Sequence, residues 1–361
     1  MPGKKSKKPP FEICGHEVAA GSRFSFDLRV PDLYVHNDLT TPIHVINGRM
    51  DGPVLFVSGS VHGDEIMGVE IIRRVLMSRQ VQRIKGTLVA APVVNIFGFL
   101  NQSRYLPDRR DLNRSFPGSE KGSIASRMAN LFLTQIVEPC SHGIDLHTAA
   151  INRENLPQIR ADTSDPEVEK MAKAFGMPVI VNSQLIEGSI RNAAADIGVK
   201  MIVYEAGEAL RFDETAIRAG VRGVLRVMRS LGMLRTRQRK APPKSDARLK
   251  EPTISQGSRW VRAPQSGIHR SVTRLGTEVN KGDKLGFIGD PLGETETPVE
   301  ATSSGIIIGR SNLPLVTEGE ALFHIATFEE PHDFVAEQID RVEEVMSEVT
   351  ARSEFDEPPI V

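Results

Sequence analysis

A histidine and a glutamate three residues apart are the side chains of this sequence best suited to chemistry. His62 and Glu65 lie between a short apolar run at 53–57 and a stretch at 66–76 whose apolar residues recur at helical spacing. At such a strand-to-helix junction, both side chains can point at one centre. Imidazole nitrogen and carboxylate oxygen are both zinc ligands, and a catalytic zinc takes three protein ligands and keeps one open position. The pair alone is common in proteins, so a metal site needs a third ligand from elsewhere in the chain.

Two further candidate residues stand at the ends of apolar segments. His147 ends the run at 143–147, and Glu205 ends the run at 200–205. A distant third ligand is normal for a zinc that is held by one local pair, so His147 is the candidate. A glutamate at the end of a buried strand is costly unless it is paired, which favours a site role for Glu205 as a general base.

The segment 104–118 is rich in arginine and is bounded by proline and glycine. It contains Arg104, Arg109, Arg110, Asn113 and Arg114. Clustered guanidinium groups can hold a carboxylate through two parallel hydrogen bonds, so this segment predicts a binding loop for an acidic group. The alternative interpretation is a charged loop that is merely solvated.

The elements that must position these residues follow an alternating order. Short apolar runs predict strands and amphipathic stretches predict helices between and after them, which indicates an α/β fold with a mixed, largely parallel sheet and helices on both faces. In such sheets ligands bind at the carboxyl ends of the strands. The predicted strands are 24–30, 41–48, 53–57, 86–93, 143–147, 178–181 and 200–205, and the predicted helices are 66–76, 166–176, 190–197 and 213–231.

The composition changes after the catalytic region. We expect a disordered basic tail at 1–15, a catalytic domain at 16–234, a linker at 235–258, a β domain at 259–327, and an amphipathic helix and tail at 328–361. The β domain contains an internal repeat that resembles the two halves of a lipoyl/biotinyl barrel. The segment between the halves, 289–296, has no lysine to carry a cofactor, so the likeness does not predict a carrier role. The terminal helix could pack on its own chain or mediate a homo-oligomer.

The overall composition excludes several classes of protein. A net charge of −1 gives no global field for nucleic acid, and no apolar run is long enough to span a membrane. Two cysteines offer no disulfide framework and suit a reducing compartment. We therefore expect a cytoplasmic protein.

Four motifs occur in an order that resembles the succinylglutamate desuccinylase/aspartoacylase family, which has a zinc carboxypeptidase-like fold. They are His62-Gly63-Asp64-Glu65, the segment 111–118, Asp145-Leu146-His147-Thr148, and Glu205. The likeness spans about residues 40–327 and includes the β domain. It is specific for the family and does not identify a substrate.

The resemblance implies one zinc ion per subunit, held by His62, Glu65 and His147, with Glu205 as general base. It also implies that Arg191 contacts substrate, where the alternative is a surface residue at a helix N-terminus.

For the binding loop, the resemblance implies that Asn113 and Arg114 bind the carboxylate of the amino acid. Arg104 would polarise the scissile carbonyl and stabilise the oxyanion. Its spacing to Asn113 is longer than in aspartoacylases proper, so Arg109 or Arg110 could compete for that position.

The implied reaction is hydrolysis of a small N-acyl amino acid, such as an N-succinyl or N-acetyl amino acid, by water that zinc activates and Glu205 deprotonates. The runner-up is a zinc carboxypeptidase that acts on peptides, because the same metal centre serves both reactions. A third interpretation is a non-catalytic binding protein. The presence of all three zinc ligands and of Glu205 argues against it.

Overall fold

The computed structural model describes residues 8–33, 38–235 and 252–329. Within these ranges the chain forms a large mixed sheet of 13 strands, a separate four-stranded antiparallel sheet and a two-stranded antiparallel hairpin. No helix in these ranges combines the length and apolar character needed to cross a membrane.

The strands are β1 (Phe11–Ile13), β2 (His16–Val18), β3 (Ser22–Arg29), β4 (Thr40–Asn47), β5 (Met50–Gly59), β6 (Lys85–Ala91), β7 (His142–Ala149), β8 (Arg153–Ala161), β9 (Val179–Asn182), β10 (Lys200–Glu208), β11 (Thr253–Ser255), β12 (Gly257–Arg262), β13 (Gly267–Ser271), β14 (Glu278–Val279), β15 (Lys284–Gly289), β16 (Glu296–Glu300), β17 (Gly305–Ser311), β18 (Leu315–Val316) and β19 (Ala321–Thr327). The α-helices are α1 (Met67–Met77), α2 (Ile96–Leu100), α3 (Ile124–Phe132), α4 (Pro166–Phe175), α5 (Ile190–Asp196) and α6 (Glu214–Ser230).

The large sheet is parallel in its centre and antiparallel towards both ends. Its main path runs β12-β19-β17-β8-β10-β7-β5-β6-β4-β3, and the pairs from β10 to β6 are parallel. The expected sheet was largely parallel, whereas strands β3 and β4 on one side and β8, β17, β19 and β12 on the other pair antiparallel with their neighbours on this path. The fold is therefore a mixed α/β architecture.

Helices cover both faces of the sheet, as the alternating order predicted. Leu55 and Val57 of β5 point into a core formed with α1, α4 and α6, and Phe56 between them points into a second core formed with α3 and α5. Successive side chains of a strand lie on opposite faces, so a central strand with apolar residues on both sides must be buried on both.

All seven predicted strands and all four predicted helices are present, as β3 to β7, β9 and β10 and as α1, α4, α5 and α6. Strands β1, β2 and β8 and helices α2 and α3 were not predicted. Two predicted boundaries are wrong, because Phe11–Ile13 of the expected tail forms a strand and the expected linker includes the strand Thr253–Ser255. The predicted terminal helix lies outside the described residues, which include only 328 and 329 of the segment 328–361.

The C-terminal β region, residues 253–327, is built onto the large sheet. Strands β11, β12, β14, β17 and β19 belong to that sheet, and β16-β15-β13-β18 form the separate antiparallel sheet. Strand β17 pairs antiparallel with β8, where Gly309 lies opposite Asn155 and Arg310 lies opposite Glu154. The likeness to a lipoyl/biotinyl barrel stays a prediction.

Tyr204 fixes strand β10 to the helical layer from the side opposite Glu205. Its side chain is fully buried, its ring stacks on Phe175 at 5.0 Å, and its hydroxyl donates a 2.7 Å hydrogen bond to the carbonyl oxygen of Ala216. Burial raises the pKa of this hydroxyl well above its ordinary value, so it remains a donor.

Replacing Tyr204 by phenylalanine removes this hydrogen bond and keeps the ring. We expect Tyr204→Phe to lower the free energy of unfolding by about 1 kcal/mol, the usual net contribution of one buried hydrogen bond. The matched control is Tyr105→Phe, since Tyr105 is 49% exposed. If urea unfolding shows that the two variants lose the same free energy of unfolding, the Tyr204 hydrogen bond does not stabilise the fold as proposed.

Candidate active site

The predicted site residues converge at the carboxyl ends of three neighbouring parallel strands. His62 and Glu65 follow β5, His147 is near the end of β7, and Glu205 is near the end of β10. Strand β7 lies between β5 and β10, and Glu205 is directly opposite His147 in the register. The sheet therefore brings four residues from distant parts of the chain to one edge, as the strand-end argument predicted.

The turn after β5 is held by its own backbone. Glu65 N–H donates to the carbonyl oxygen of His62 at 3.1 Å, and Ser60 Oγ donates to the carbonyl oxygen of Glu65 at 3.2 Å. Gly63 packs so closely on Gly98 that a Cβ atom there would lie 1.9 Å from the Gly98 carbonyl carbon. This close approach requires glycine and fixes the turn that aims His62 and Glu65 in one direction.

Glu65 is the centre of the cluster. Its Oε1 lies 2.7 Å from His62 Nδ1, and its Oε2 lies 2.7 Å from His147 Nδ1. The backbone N–H of Thr148 also donates to Oε2, at 3.1 Å. All three side chains are buried, and one ligand atom from each lies within 4.8 Å of the others.

Two more carboxylates hold the outer nitrogens of the histidines. His62 Nε2 lies 3.1 Å from Asp111 Oδ1, and His147 Nε2 lies 2.6 Å from Asp145 Oδ2. Asp145 is itself fixed by Ser58 Oγ, which donates to its Oδ1 at 2.7 Å. A histidine that donates one N–H to a carboxylate presents its other nitrogen as a metal ligand.

The electrostatics of the cluster favour positive charge at its centre. Burial alone would raise the pKa of Glu65, but the adjacent His62 and His147 hold it well below its usual range. Burial disfavours a charged His147, yet Asp145 and Glu65 raise its pKa well above the ordinary value. Each imidazole has a carboxylate oxygen near both of its nitrogens. A cation bound between the two Nδ1 atoms would balance the negative charge of these carboxylates, as the protonated imidazoles otherwise do. The two nitrogens and the Glu65 carboxylate therefore fit a metal ion.

Arg104 is the arginine of the binding loop that reaches this cluster. Its Nη1 donates to Glu65 Oε1 at 3.2 Å, and its Nη2 donates to Asp111 Oδ2 at 2.9 Å. Arg110 instead donates to Ser123 Oγ. Arg109 is exposed, and no hydrogen bond or ion pair within the described ranges joins its side chain to the cluster. Of the three competing arginines, the structure therefore places Arg104 beside the predicted metal ligands.

Asn113 and Arg114 follow Asp111 in a short helical turn at Leu112–Arg114. Asn113 Oδ1 accepts a 2.9 Å hydrogen bond from the N–H of Ile190, so its amide is oriented by the start of α5. Arg114 is exposed and donates to the carbonyl oxygen of Asn113. Both remain accessible for a role in binding.

Arg191 lies in the first turn of α5, and its burial contradicts the alternative interpretation as a surface residue. It is 7% exposed, and its guanidinium donates to Ser183 Oγ and to the carbonyl oxygen of Gln184, each at 2.8 Å. Burial and the charge of Arg160 lower its pKa to about 10. Two of its nitrogens are therefore engaged by the protein itself.

Two residues beside Glu205 were not predicted from the sequence. Asn155 Nδ2 donates to Glu205 Oε2 at 2.8 Å, and Arg160 Nε lies 3.2 Å from Glu205 Oε1. The angle of the Arg160 contact is too poor for a hydrogen bond, so that nitrogen is buried without an acceptor among the described residues. Both residues lie on β8, whose polar sequence with a central Pro157 gives no strand signal.

Comparison with known proteins places the chain in a family. The model of the succinylglutamate desuccinylase/aspartoacylase catalytic domain matches residues 51–231. Over 342 residues the chain is 24% identical to the N-alpha-acetyl-L-2,4-diaminobutyric acid deacetylase of Halomonas elongata, which covers 90% of this chain and 97% of that protein.

Solved structures share the fold. The succinylglutamate desuccinylase/aspartoacylase of Rhodobacter sphaeroides superposes with a TM-score of 0.75 at 23% identity, over 85% of this chain and 96% of that one. The product-bound ectoine utilization protein of Ruegeria pomeroyi gives a TM-score of 0.74 at 22% identity, over 90% and 99% of the two chains. Since the family model matches half of the sequence, this chain belongs to the succinylglutamate desuccinylase/aspartoacylase family.

Proposed function

We propose that the protein is a zinc-dependent deacylase that hydrolyses the amide bond of a small N-acyl amino acid. The observation that carries this proposal is the arrangement of His62, Glu65 and His147, whose ligand atoms converge while Asp111 and Asp145 hold the outer histidine nitrogens. Glu205 lies opposite His147 on the neighbouring strand, beside this group. Family membership and the deacetylase named above support the same reaction class.

His62, Glu65 and His147 would hold the metal. Zinc, when bound, lowers the pKa of water and polarises the amide carbonyl. The chain fixes both histidine rings before binding, because Asp111 and Asp145 determine which nitrogen faces the centre.

Glu205 would act as general base and then as general acid. Its carboxylate takes a proton from the attacking water and transfers it to the amide nitrogen as the C–N bond breaks, so that water and amide become a carboxylic acid and an amine. Its side chain is 18% exposed, which leaves it open to a small substrate while water access is restricted.

Arg104 and the turn at Asn113 would supply the substrate contacts. The Arg104 guanidinium lies beside Glu65, where it can stabilise negative charge that develops on the carbonyl oxygen. Arg114, exposed next to the oriented amide of Asn113, would bind the carboxylate of the amino acid.

The charge around Glu205 favours a substrate with a second acidic group. Arg160 forms a 3.2 Å ion pair with Glu205 and donates no well-aligned hydrogen bond to any described residue. Its positive charge also lowers the pKa of the nearby Arg191. The deacetylase of Halomonas elongata acts on a diaminobutyric acid derivative, whose side-chain ammonium these two arginines would repel. We therefore propose an N-acyl amino acid with a carboxylate on its acyl chain or side chain, such as an N-succinyl amino acid.

Zinc binding tests the metal ligands directly. We expect the purified chain to bind zinc in competition with a chromophoric chelator, His147→Ala to lose this binding, and Asp145→Asn to weaken it roughly 10- to 100-fold. His142→Asn is the matched control, because His142 lies at the opposite end of the same strand. Unchanged affinity in His147→Ala would contradict the ligand assignment.

Glu205→Gln keeps the size of the side chain and removes its basicity. We expect kcat to fall roughly 10²- to 10⁴-fold while zinc affinity stays at the wild-type value. Glu208→Gln is the control on the same strand, where the carboxylate instead accepts from Asn152 N–H and Asn312 Nδ2. Near-normal kcat in Glu205→Gln would make the general-base assignment wrong.

Amine release from a substrate panel tests the reaction and its specificity. The panel contains N-acetyl and N-succinyl derivatives of acidic, neutral and basic amino acids, together with short peptides. We expect hydrolysis of acyl amino acids with the highest kcat/KM for substrates that carry two carboxylates, and Arg160→Gln should lower this preference roughly 10-fold or more. Arg153→Gln is the control, since Arg153 lies on the same strand but stacks on Trp260. Hydrolysis of peptides alone would favour the carboxypeptidase interpretation instead.

A further inference from the structure

Asn155 lies between the catalytic sheet and the C-terminal β region. In the strand register, Gly207 of β10 is its neighbour on one side and Gly309 of β17 is its neighbour on the other. The side chain of Asn155 is 93% buried and donates from Nδ2 to Glu205 Oε2. A residue with glycine on both sides has room to lie along the sheet towards Glu205.

Gly309 provides this room because it has no Cβ atom next to the Asn155 amide. A Cβ atom on Gly309 would lie 2.9 Å from Asn155 Oδ1 and 3.3 Å from His324 Cβ. The backbone of Gly309 is not in the left-handed region, so alanine is compatible with its conformation and only the contact opposes it. Because Oδ1 and Nδ2 belong to one rigid amide plane, a Cβ that displaces Oδ1 also displaces Nδ2 from Glu205.

The hydrogen bond from Asn155 is the one that orients the Glu205 carboxylate, within the part of the chain that the structure describes. Arg160 lies near the other oxygen, but its Nε contact has poor hydrogen-bond geometry. Without Asn155, the ion pair with Arg160 alone would hold the Glu205 carboxylate, which could then turn about its last bond to improve that pair. A general base must be held within reach of the proton that it abstracts, so this rotation would reduce its efficiency.

We infer that Gly309 and Asn155 are positioning residues, through which the C-terminal β region sets the orientation of the Glu205 carboxylate. This inference rests on the proposed role of Glu205 as general base. It gives the C-terminal β region a part in catalysis that does not require any of its side chains to touch the substrate. Gly309 has this effect because it lacks a side chain, which leaves room for Asn155 at the strand where the two parts of the sheet meet.

A double-mutant cycle tests the connection on the zinc-loaded full-length protein. We expect Asn155→Ala and Gly309→Ala each to lower kcat roughly 10-fold with little change in KM, because a hydrogen bond to a charged group is lost. The double variant should be no slower than Asn155→Ala, since without Oδ1 the new Cβ has nothing to displace. If the two effects multiply, or if Gly309→Ala has normal kcat, the inference is wrong.

Arg310→Ala is the matched control for the strand junction. Arg310 follows Gly309 and forms a 3.1 Å ion pair with Glu154 across the same strands. Its side-chain hydrogen bonds within the described ranges go to Glu154 and not to Asn155. We expect kcat close to the wild-type value in this variant. A loss equal to that of Gly309→Ala would show that any weakening of the junction slows the enzyme, which would overturn the specific role of Gly309.

Two further measurements separate this inference from the proposed function. If Glu205→Gln retains activity, the general-base role fails and the inference fails with it; if Glu205→Gln is inactive while Gly309→Ala is normal, only the inference fails. A crystal structure of Gly309→Ala gives an answer that needs no substrate. We expect Asn155 Nδ2 to have moved beyond hydrogen-bonding distance of Glu205 Oε2, and an intact hydrogen bond would overturn the inference.

Discussion

The burial of the Glu65 carboxylate is the constraint on which the site depends. A buried negative charge is unstable unless donors surround it, and here the donors come from three separate segments: His62 in its own turn, His147 and Thr148 on β7, and Arg104 in the binding loop. The parallel pairing of β5 with β7 places these segments next to each other. Two histidines that face one glutamate need partners for their other nitrogens, and Asp111 and Asp145 supply these partners.

The sequence was sufficient for those parts of the fold and site that lie in continuous apolar strands. His62, Glu65, His147 and Glu205 were predicted because each stands where such a strand ends or just beyond it, and parallel strands share one edge. Strand β8 was missed because only its fold neighbours, β10 on one side and β9 and β17 on the other, make its polar, proline-containing sequence extended. Asn155 and Arg160 were missed with it, since neither has a sequence motif of its own.

The arginines show a second limit of sequence reasoning. Residue type identifies a guanidinium but does not tell which acceptors the folded chain already supplies. Arg191 is predicted to contact substrate, and in the fold two of its nitrogens donate to Ser183 and Gln184. Arg160, which was not predicted, forms an ion pair with Glu205. Only the tertiary arrangement shows which donors of each arginine the protein itself engages.

The pairing of β8 with β17 also affects how the chain can be divided. Strand β8 has β10 along one side, and its other side is shared between β9 and β17. A fragment that ended before residue 252 would leave the β17 side of the backbone at 153–155 without a partner and would remove β11 from the side of β9. Exposed strand edges of this kind promote aggregation, so the catalytic portion is poorly suited to exist as an independent module. The two parts of the chain should therefore be inherited, expressed and exchanged as one unit.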